Sequence, residues 1–366
     1  MFTAYLILSV FLILATLFPL FPSAHWFFRG FDFGKVQFLA LKVLVFGLAF
    51  FIIPLSTTFW VMQSLLFACI LYNGFILIKY TPIYKVKDID IKDKHSDTVC
   101  VLSANVYQFN TDYHRFIDLV KRVNPDIVLT MESNQAWEDA LTALEKDYPN
   151  TCKVALENTY GMHFYTKLKM EECQVHHFVA DDIPSIEAEL ITREGYKFTF
   201  FGIHPPPPSP TEEETSKERD GELLSIAKKV RKDAKTTLVV GDFNNVAWAK
   251  SSVLFRKTSE TVDPRIGRGL ISTFHAKYWF MRFPLDQLYH TPDIFVQDLK
   301  VLPEFGSDHL PLFCNFYINR SDDAQEELVE GLEKGDMEEV NEMIADGIKE
   351  QGERPEFAVE RSSIFT

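Results

Sequence analysis

The chain is expected to fold as an α/β layered sandwich preceded by three transmembrane helices. Three apolar runs crowd the first 80 positions. From Thr98 onward, β-branched runs first alternate with segments of helical periodicity and later give way to hairpin-like strand pairs. That mixed order suits helices layered on packed sheets better than a strict doubly wound sheet. In addition, six predicted strand ends each carry a hard oxygen donor or a His.

The apolar runs come first. Residues 3–21, TAYLILSVFLILATLFPLF, carry no charge over a length that spans a bilayer. Residues 36–55 form a second run interrupted only by Lys42, and residues 59–78 form a third. A signal peptide would show a basic start and a small-residue cleavage site; neither is clear, and two more spans follow at once. Trp26, Phe27, Phe28 and Trp60 sit near the ends, where interfacial aromatics belong. Lys42 is expected to face another helix or to snorkel. Three spans put the loop at 25–35 and everything after 79 on one side. That side holds Arg29, Lys35, Lys79, Lys85, Lys87, Lys92 and Lys94, and the other side holds no Lys or Arg. The charge bias predicts a multi-pass membrane protein with its C-terminal domain in the cytoplasm. The extracytoplasmic side is the alternative.

Charge is unevenly spread. Of the net -14, residues 321–366 contribute -11 (15 acidic, 4 basic), residues 1–94 contribute +4, and 95–320 carry -7. A domain that grips bare polyanions by its surface is usually basic, so nucleic acid is the less favoured partner. The five cysteines show no C-x-x-C spacing and read as buried structural thiols.

The chain divides into three transmembrane helices (1–80), a polar juxtamembrane linker (81–96), a strand-rich α/β domain (97–319) and an acidic helical tail (320–366). Within the domain, TVCVLSANV, DIVLTMES, GMHFYTK, SIEAELIT, YKFTFFGIH, TTLVVGDFN, DQLYHTPDIFVQDLKVL and PLFCNFYI read as strands. DYHRFIDLVKRVNP, AWEDALTALEKDY and SKERDGELLSIAKKVRKD read as helices. GLEKGDMEEVNEMIADG looks like one ankyrin-type helix pair. A single unit cannot bury its own apolar face, so a short appendage, or a docking site for a protein partner, is expected there.

The six strand ends are SANV with Asn105, TMES with Glu132, GIHPP with His204, GDFN with Asp242 and Asn244, PLDQLY with Asp286, and GSDHLP with Asp308 and His309. Singly, each is explained by a turn, a helix cap or a structural His. Together they supply oxygen donors for Mg²⁺ (or Mn²⁺), which takes few protein ligands and keeps water. Two His beside several acids, without cysteines, suit acid–base work better than a zinc cage.

In this order and spacing, the segments resemble the endonuclease/exonuclease/phosphatase (DNase I-like) superfamily over about residues 97–318. HPPPP, GDFNNVAW, STF…PLDQLY and GSDHLP look like its membrane-anchored bacterial branch. The resemblance implies a DNase I-like four-layered α/β sandwich. It also implies roles. Glu132 matches the main metal ligand, Asn105 the Asn supporting the metal site, and Asp308 a second metal-side or water-side carboxylate. Asp242 matches the Asp that orients or deprotonates the attacking water. Asn244 matches the Asn that holds a phosphate oxygen. His309 matches the His at the scissile phosphate, oriented by Asp286. His204 matches a second His that helps protonate the leaving oxygen, so Asn244 and His204 are also the substrate-binding candidates. Phe243 alternates away from the two polar residues and is expected to pack in the core. Two departures stand out: HFYTK where the family usually has Ser-Arg, and Gln287 where many members have His or Tyr.

The expected activity is a membrane-anchored, Mg²⁺-dependent phosphoesterase acting on a phosphorylated, lipid-linked or membrane-proximal substrate, with membrane lipids as partners. Arg193, Arg219, Arg265 and Arg268 are candidate phosphate contacts. The alternatives are a metal-dependent nuclease on DNA or RNA and a non-catalytic membrane scaffold. A scaffold predicts missing catalytic residues, and all of the main ones are present.

Overall fold

A computed structural model describes residues 1–86 and 98–352. Most of the juxtamembrane linker and the last 14 residues lie outside them. The chain forms two compact units. The first is Met1–Lys85 with Pro208–Ser216 and Ile266–Gly269, and the second is the rest of the described residues.

The first unit holds α1 (Phe2–Leu17), α2 (Trp26–Phe33), α3 (Lys35–Ile52) and α4 (Thr57–Leu77). Three helical stretches, Phe2–Leu20, Lys35–Ile52 and Thr57–Tyr80, are long and apolar enough to cross a membrane. Ser56 starts α4 by accepting a hydrogen bond from Phe59 N. Leu12, Ala49, Phe59 and Leu66 pack the three long helices together, and Lys42 is fully buried among them. Helix α2 was not foreseen. Its eight residues include four Phe, and Asp32 near its end pairs with Lys35, the first residue of α3 (2.8 Å).

The second unit contains two mixed sheets. The first sheet has the order β10-β11-β1-β2-β4-β3 and the second β5-β6-β7-β8-β9. The strands are β1 (Val99–Asn105), β2 (Ile127–Met131), β3 (Asn150–Val154), β4 (Met162–Thr166), β5 (Lys169–His176), β6 (Ser185–Ile191), β7 (Lys197–Ile203), β8 (Thr237–Asp242), β9 (Asp286–His290), β10 (Ile294–Val301) and β11 (Leu312–Ile318). Alternation along the strands builds the layers. Val101, Ile127, Leu129 and Phe164 of the first sheet meet Ile186, Phe198, Phe200 and Val240 of the second in a central core. Gly202 is needed at that contact, since a Cβ there would lie 2.7 Å from Leu129 Cδ1. The outer face of the first sheet is covered by α5 (Tyr113–Val123) and α6 (Gln135–Leu141). That of the second is covered by α7 (Lys217–Asp233) and α8 (Lys250–Ser259). The result is the four-layered DNase I-like α/β sandwich.

Each sheet contains one parallel pair, β1–β2 joined through α5 and β7–β8 joined through α7. Parallel strands need such a crossover, and the crossover leaves both carboxyl ends at one edge of the sheet.

The tail corrects one expectation. In place of a helix pair there is one long helix, α9 (Asp336–Gly352), preceded by a short 3-10 turn. Its Met337, Val340, Met343 and Ile344 pack on Leu224 of α7 and Leu254 of α8. Ion pairs follow: Lys250 with Glu339, Lys257 with Glu333 (2.8 Å) and Asp336 (3.2 Å), and Arg256 with Glu330 (2.7 Å). The acidic segment uses its apolar face on its own domain, so it needs no repeated neighbours. A second correction concerns sulfur. Cys152 on β3 and Cys173 on β5 form a disulfide, Cα–Cα 6.5 Å. β3 and β5 are edge strands of different sheets, so the bridge staples one side of the sandwich.

Candidate active site

The site forms because the two parallel pairs end side by side. Asn105 closes β1, Glu132 follows β2, His204 follows β7, and Asp242 closes β8. Asp286 opens β9 directly opposite Asp242 in the antiparallel register, and His309 precedes β11. The structure therefore brings together all eight residues singled out by sequence except for one partial case, Asn244, whose side chain is turned toward the His204 loop.

Local geometry explains how GDFN works as a platform. Gly241 has φ 155°, and a Cβ there would meet Ile203 O at 1.9 Å, so only glycine lets β8 lie this close to β7. Asp242 Oδ1 accepts a hydrogen bond from Asn244 N (2.9 Å), an Asx turn that holds Asn244 at φ 47°. Asn244 Nδ2 donates to Pro205 O (2.9 Å). Phe243 packs on Phe255 and Tyr289 in the outer core, as alternation required.

At the centre is Asp242 Oδ2. Asn105 Nδ2 donates to it at 3.2 Å, His309 Nε2 lies at 3.5 Å, and His204 Nε2 at 3.9 Å. The same Asn105 Nδ2 donates to Glu132 Oε1 (2.8 Å), and Gln108 N donates to Glu132 Oε2 (3.1 Å). Asn105 thus ties the carboxylate of one sheet to that of the other, while its Oδ1 accepts from Tyr107 N (3.0 Å). Glu132 (φ 60°) and Tyr107 (φ 57°) both adopt left-handed backbone, a strain that recurs at functional sites. Burial pushes the Glu132 carboxyl up, and Asp308 pushes the same way, against His204, Asn105 and Gln108.

The two histidines are driven apart. His309 Nδ1 donates to Asp286 Oδ2 (2.7 Å). Burial alone would lower its pKa, but Asp286 and Asp242 outweigh it and raise it to about 10, so His309 is an imidazolium near neutrality. The proton of that buried pair sits on the ring and Asp286 is the anion. His204 goes the other way: burial lowers its pKa, only partly opposed by Asp242 and Glu132. It is a neutral imidazole with Nδ1 unbonded. Two adjacent imidazoles in opposite protonation states divide a proton donor from a neutral hydrogen-bonding partner.

The donor set fits a divalent cation. Four carboxylates (Glu132, Asp242, Asp286, Asp308) face one imidazolium, an excess of negative charge that a hard cation would neutralise. Asp242, Asp286 and His309 each offer a ligand atom within 4.8 Å of one another. Both nitrogens of His309 already face carboxylates, which leaves the carboxylate oxygens of Glu132, Asp242 and Asp308 as the donors for a hard cation.

The four arginines offered as phosphate contacts lie elsewhere. Arg219 is buried, paired with Asp220 and donating to Asn244 O (2.9 Å), so it braces GDFN from behind. Arg265 is buried against Asp263, Gln287 and Tyr289. Arg193 pairs with Asp126 before β2, at the other end of the strands. Arg268 falls in the first unit. The departures are structural: His163 is buried, its pKa pushed down to about 3 by desolvation, and Gln287 Nε2 donates to Asn245 O (2.6 Å), linking GDFN to Arg265. Sequence reasoning missed Ser307, whose Oγ donates to Asn105 O (2.8 Å) and accepts from His309 N (3.0 Å). It also missed Thr273, whose Oγ1 accepts from Asp286 N (3.2 Å). Their signal was faint, since a Ser or Thr near a motif is common. A cavity of about 780 Å³ lies at the other end of β7 and β8, lined by Lys197, Arg231 and Arg320, and holds none of the site residues.

Residues 102–309, more than half of the chain, match the model of the endonuclease/exonuclease/phosphatase family. No curated protein matches the chain. Among solved structures, D. rerio TDP2 complexed with a single-strand DNA product superposes with TM-score 0.52 at 16% identity, covering 60% of this chain and 99% of that one. An endonuclease/exonuclease/phosphatase family protein from Bacteroides thetaiotaomicron gives 0.51 at 18%, covering 61% and 98%. A B. thetaiotaomicron mannosyl-6-phosphatase gives 0.50 at 16%, covering 60% and 100%. At these identities the likeness is one of fold.

Proposed function

We propose that this chain, which belongs to the endonuclease/exonuclease/phosphatase family and is therefore a metal-dependent hydrolase of phosphate esters, is a membrane-anchored enzyme that uses Mg²⁺ on a lipid-linked or membrane-proximal phosphate. The observation that carries the site assignment is the placement of Asp242 Oδ2 between an imidazolium and a neutral imidazole, bridged by Asn105 to Glu132. Phosphoryl hydrolysis needs a base for water, neutralisation of the non-bridging oxygens and a proton for the leaving group. Asp242 takes the water proton. His309, held by Asp286, faces the phosphate as a cation and carries the proton for the leaving oxygen. The second N–H of the Asn244 amide is left for a phosphate oxygen, which a carboxylate would repel. His204, kept neutral by burial, serves substrate binding rather than proton donation. A divalent cation on Glu132 and Asp308 would supply Lewis acidity at the phosphate.

The test is phosphate release by the full chain in detergent with Mg²⁺, offered a long-chain phospholipid phosphate and, in parallel, plasmid DNA. Metal-dependent nicking with no lipid turnover would overturn the lipid reading in favour of a nuclease. The net -7 of residues 95–320 supports the lipid reading.

The pH profile follows from Asp286. A raised His309 pKa means the cation persists through and above the usual imidazole range and is lost as pH rises through about 10. Its stabilising pairing with Asp286 and Asp242 fades over the same rise. Replacing Asp286 by Asn removes the largest raising charge. The alkaline limb of kcat/KM is expected to move down by about one to three pH units. A limb that stays in place would remove His309 from the titrating role.

For the side of the membrane, charge and sulfur disagree. The charge bias of the short loop rests on Arg29 and Lys35, and Lys35 is neutralised by Asp32. The Cys152–Cys173 bridge joins strands 21 residues apart and persists only where thiols are not kept reduced. We therefore favour the extracytoplasmic side for the catalytic unit. Intact cells quenched with a membrane-permeant maleimide should leave Cys152 and Cys173 unlabelled until a reductant is added. Labelling of both without reduction would return the domain to the cytoplasm.

A further inference from the structure

A hairpin rooted in the active site ends in a run of exposed apolar residues. Phe274 pairs with Phe283, His275 N donates to Met281 O (3.2 Å), and a turn closes at Tyr278–Met281. At its tip Trp279 is 80% exposed, and Tyr278, Phe280 and Met281 are exposed beside it. The hairpin is braced from within, because Arg282 donates to Ala276 O (2.6 Å) and His275 O (3.3 Å). Its base grips the catalytic residues directly. Phe274 lies against the His309 ring (4.9 Å), Ala276 N donates to Asp308 O (2.6 Å), and Thr273 accepts from Asp286 N. A cavity of about 640 Å³ runs between the hairpin and the active-site loops, lined by Tyr107, His275, Lys277, Tyr278, Ser307 and Asp308.

Consecutive Tyr-Trp-Phe-Met side chains held out in water on a stiff support are an unusual exposure, and patches of this kind mark contact surfaces. Trp and Tyr with Lys277 at the flank is the composition that settles at a membrane–water interface. The polypeptide also carries three helices able to cross a bilayer, so a lipid surface is at hand. A nucleic-acid strand would need a basic groove beside the aromatics. Here Glu304 and Asp308 line the cavity, and Arg282 is committed to backbone carbonyls.

We propose that the tip of this hairpin, Tyr278–Met281, seats in the interfacial layer of a bilayer and delivers membrane-resident amphiphilic phosphates to the site, the apolar tail staying in lipid and the phosphate entering beside Tyr278. The inference rests on the phosphoesterase reading above and adds the substrate class, an ester whose alcohol part remains embedded. Because Phe274 and Thr273 touch His309 and Asp286, docking and catalysis share one rigid element.

The test uses the full chain in nanodiscs. Tryptophan quenching by brominated lipid is compared between wild type and Trp279→Phe, so that the difference reports Trp279 alone. Its emission is expected to be quenched by shallow bromines and shielded from aqueous iodide. In the activity arm, Trp279→Ser/Phe280→Ser is expected to raise KM about tenfold for a long-chain phospholipid phosphate in the bilayer, with less than a twofold change on the water-soluble short-chain form of the same ester. Iodide access without lipid quenching, or unchanged turnover of the bilayer substrate by the double variant, would overturn the proposal. So would quenching of Trp279 by a single-stranded oligonucleotide together with loss of oligonucleotide binding in the variant. Lipid quenching with no turnover of any lipid phosphate would leave the docking surface standing and remove the lipid-substrate reading instead.

Discussion

Replacing Asp242 by Asn is expected to lower kcat for phosphate release by about 10²- to 10⁴-fold, the range of a positioned general base, with little change in KM. The substitution is nearly isosteric and tests charge rather than packing. Asn keeps one carboxamide oxygen, enough to accept from Asn244 N and preserve the GDFN turn. It cannot take a proton from water. It also removes one of the carboxylates that hold the His309 proton, so the variant should lose the alkaline part of its pH profile as well. Melting temperature should hold or rise, because a carboxylate is removed from a cluster of four. A variant that retains more than a tenth of wild-type kcat would take Asp242 out of the chemistry and leave it a turn residue.

Replacing Glu132 by Gln should raise the Mg²⁺ concentration for half-maximal activity by at least about ten- to a hundredfold. Both Glu132 oxygens already accept hydrogen bonds, from Asn105 and Gln108 N. An amide in that place turns an NH₂ toward one of those donors and withdraws the charge that draws the cation. Chelation by EDTA should abolish wild-type activity, and Mg²⁺ should restore it. A second readout needs no substrate. A ligand held only by the folded state raises the melting temperature by mass action, so Mg²⁺ should stabilise the wild type and not the variant. Equal stabilisation of both would move the cation to the neighbouring Asp242–Asp286–His309 cluster.

The site was legible in the sequence to an unusual degree, and the reason is geometric. Each functional side chain sits at a strand end, where β periodicity stops at a polar residue, and the chain repeats that device six times. GDFN also announced its own layout, with Phe243 packed outward and its two polar neighbours facing the cleft side. What escaped was whatever depends on edges and exposed faces. β3 and β5 have half-buried or exposed side chains throughout, so neither shows the alternation that marks a strand with one face in the core. Because both were missed, their disulfide could not be anticipated. The arginines misled for a related reason: sequence shows a positive charge, but only the fold shows that Arg219 and Arg265 are walled in with aspartates. Helix α9 was expected as part of an acidic helical tail, but its seat on α7 and α8 escaped, because an acidic run looks solvated until its basic partners on α8 are found.

Asn105 has one further consequence. Its single amide nitrogen reaches Glu132 on the first sheet and Asp242 on the second, at the very seam along which two stacked sheets can slide. Hydrophobic contact across that seam tolerates small displacements, whereas hydrogen bonds of about 3 Å do not. Heat or denaturant that merely loosens the stacking should therefore silence the enzyme while every strand is still in place. Lost turnover would then serve as an early alarm for slippage within the sandwich, sounding well before the spectroscopic signs of unfolding.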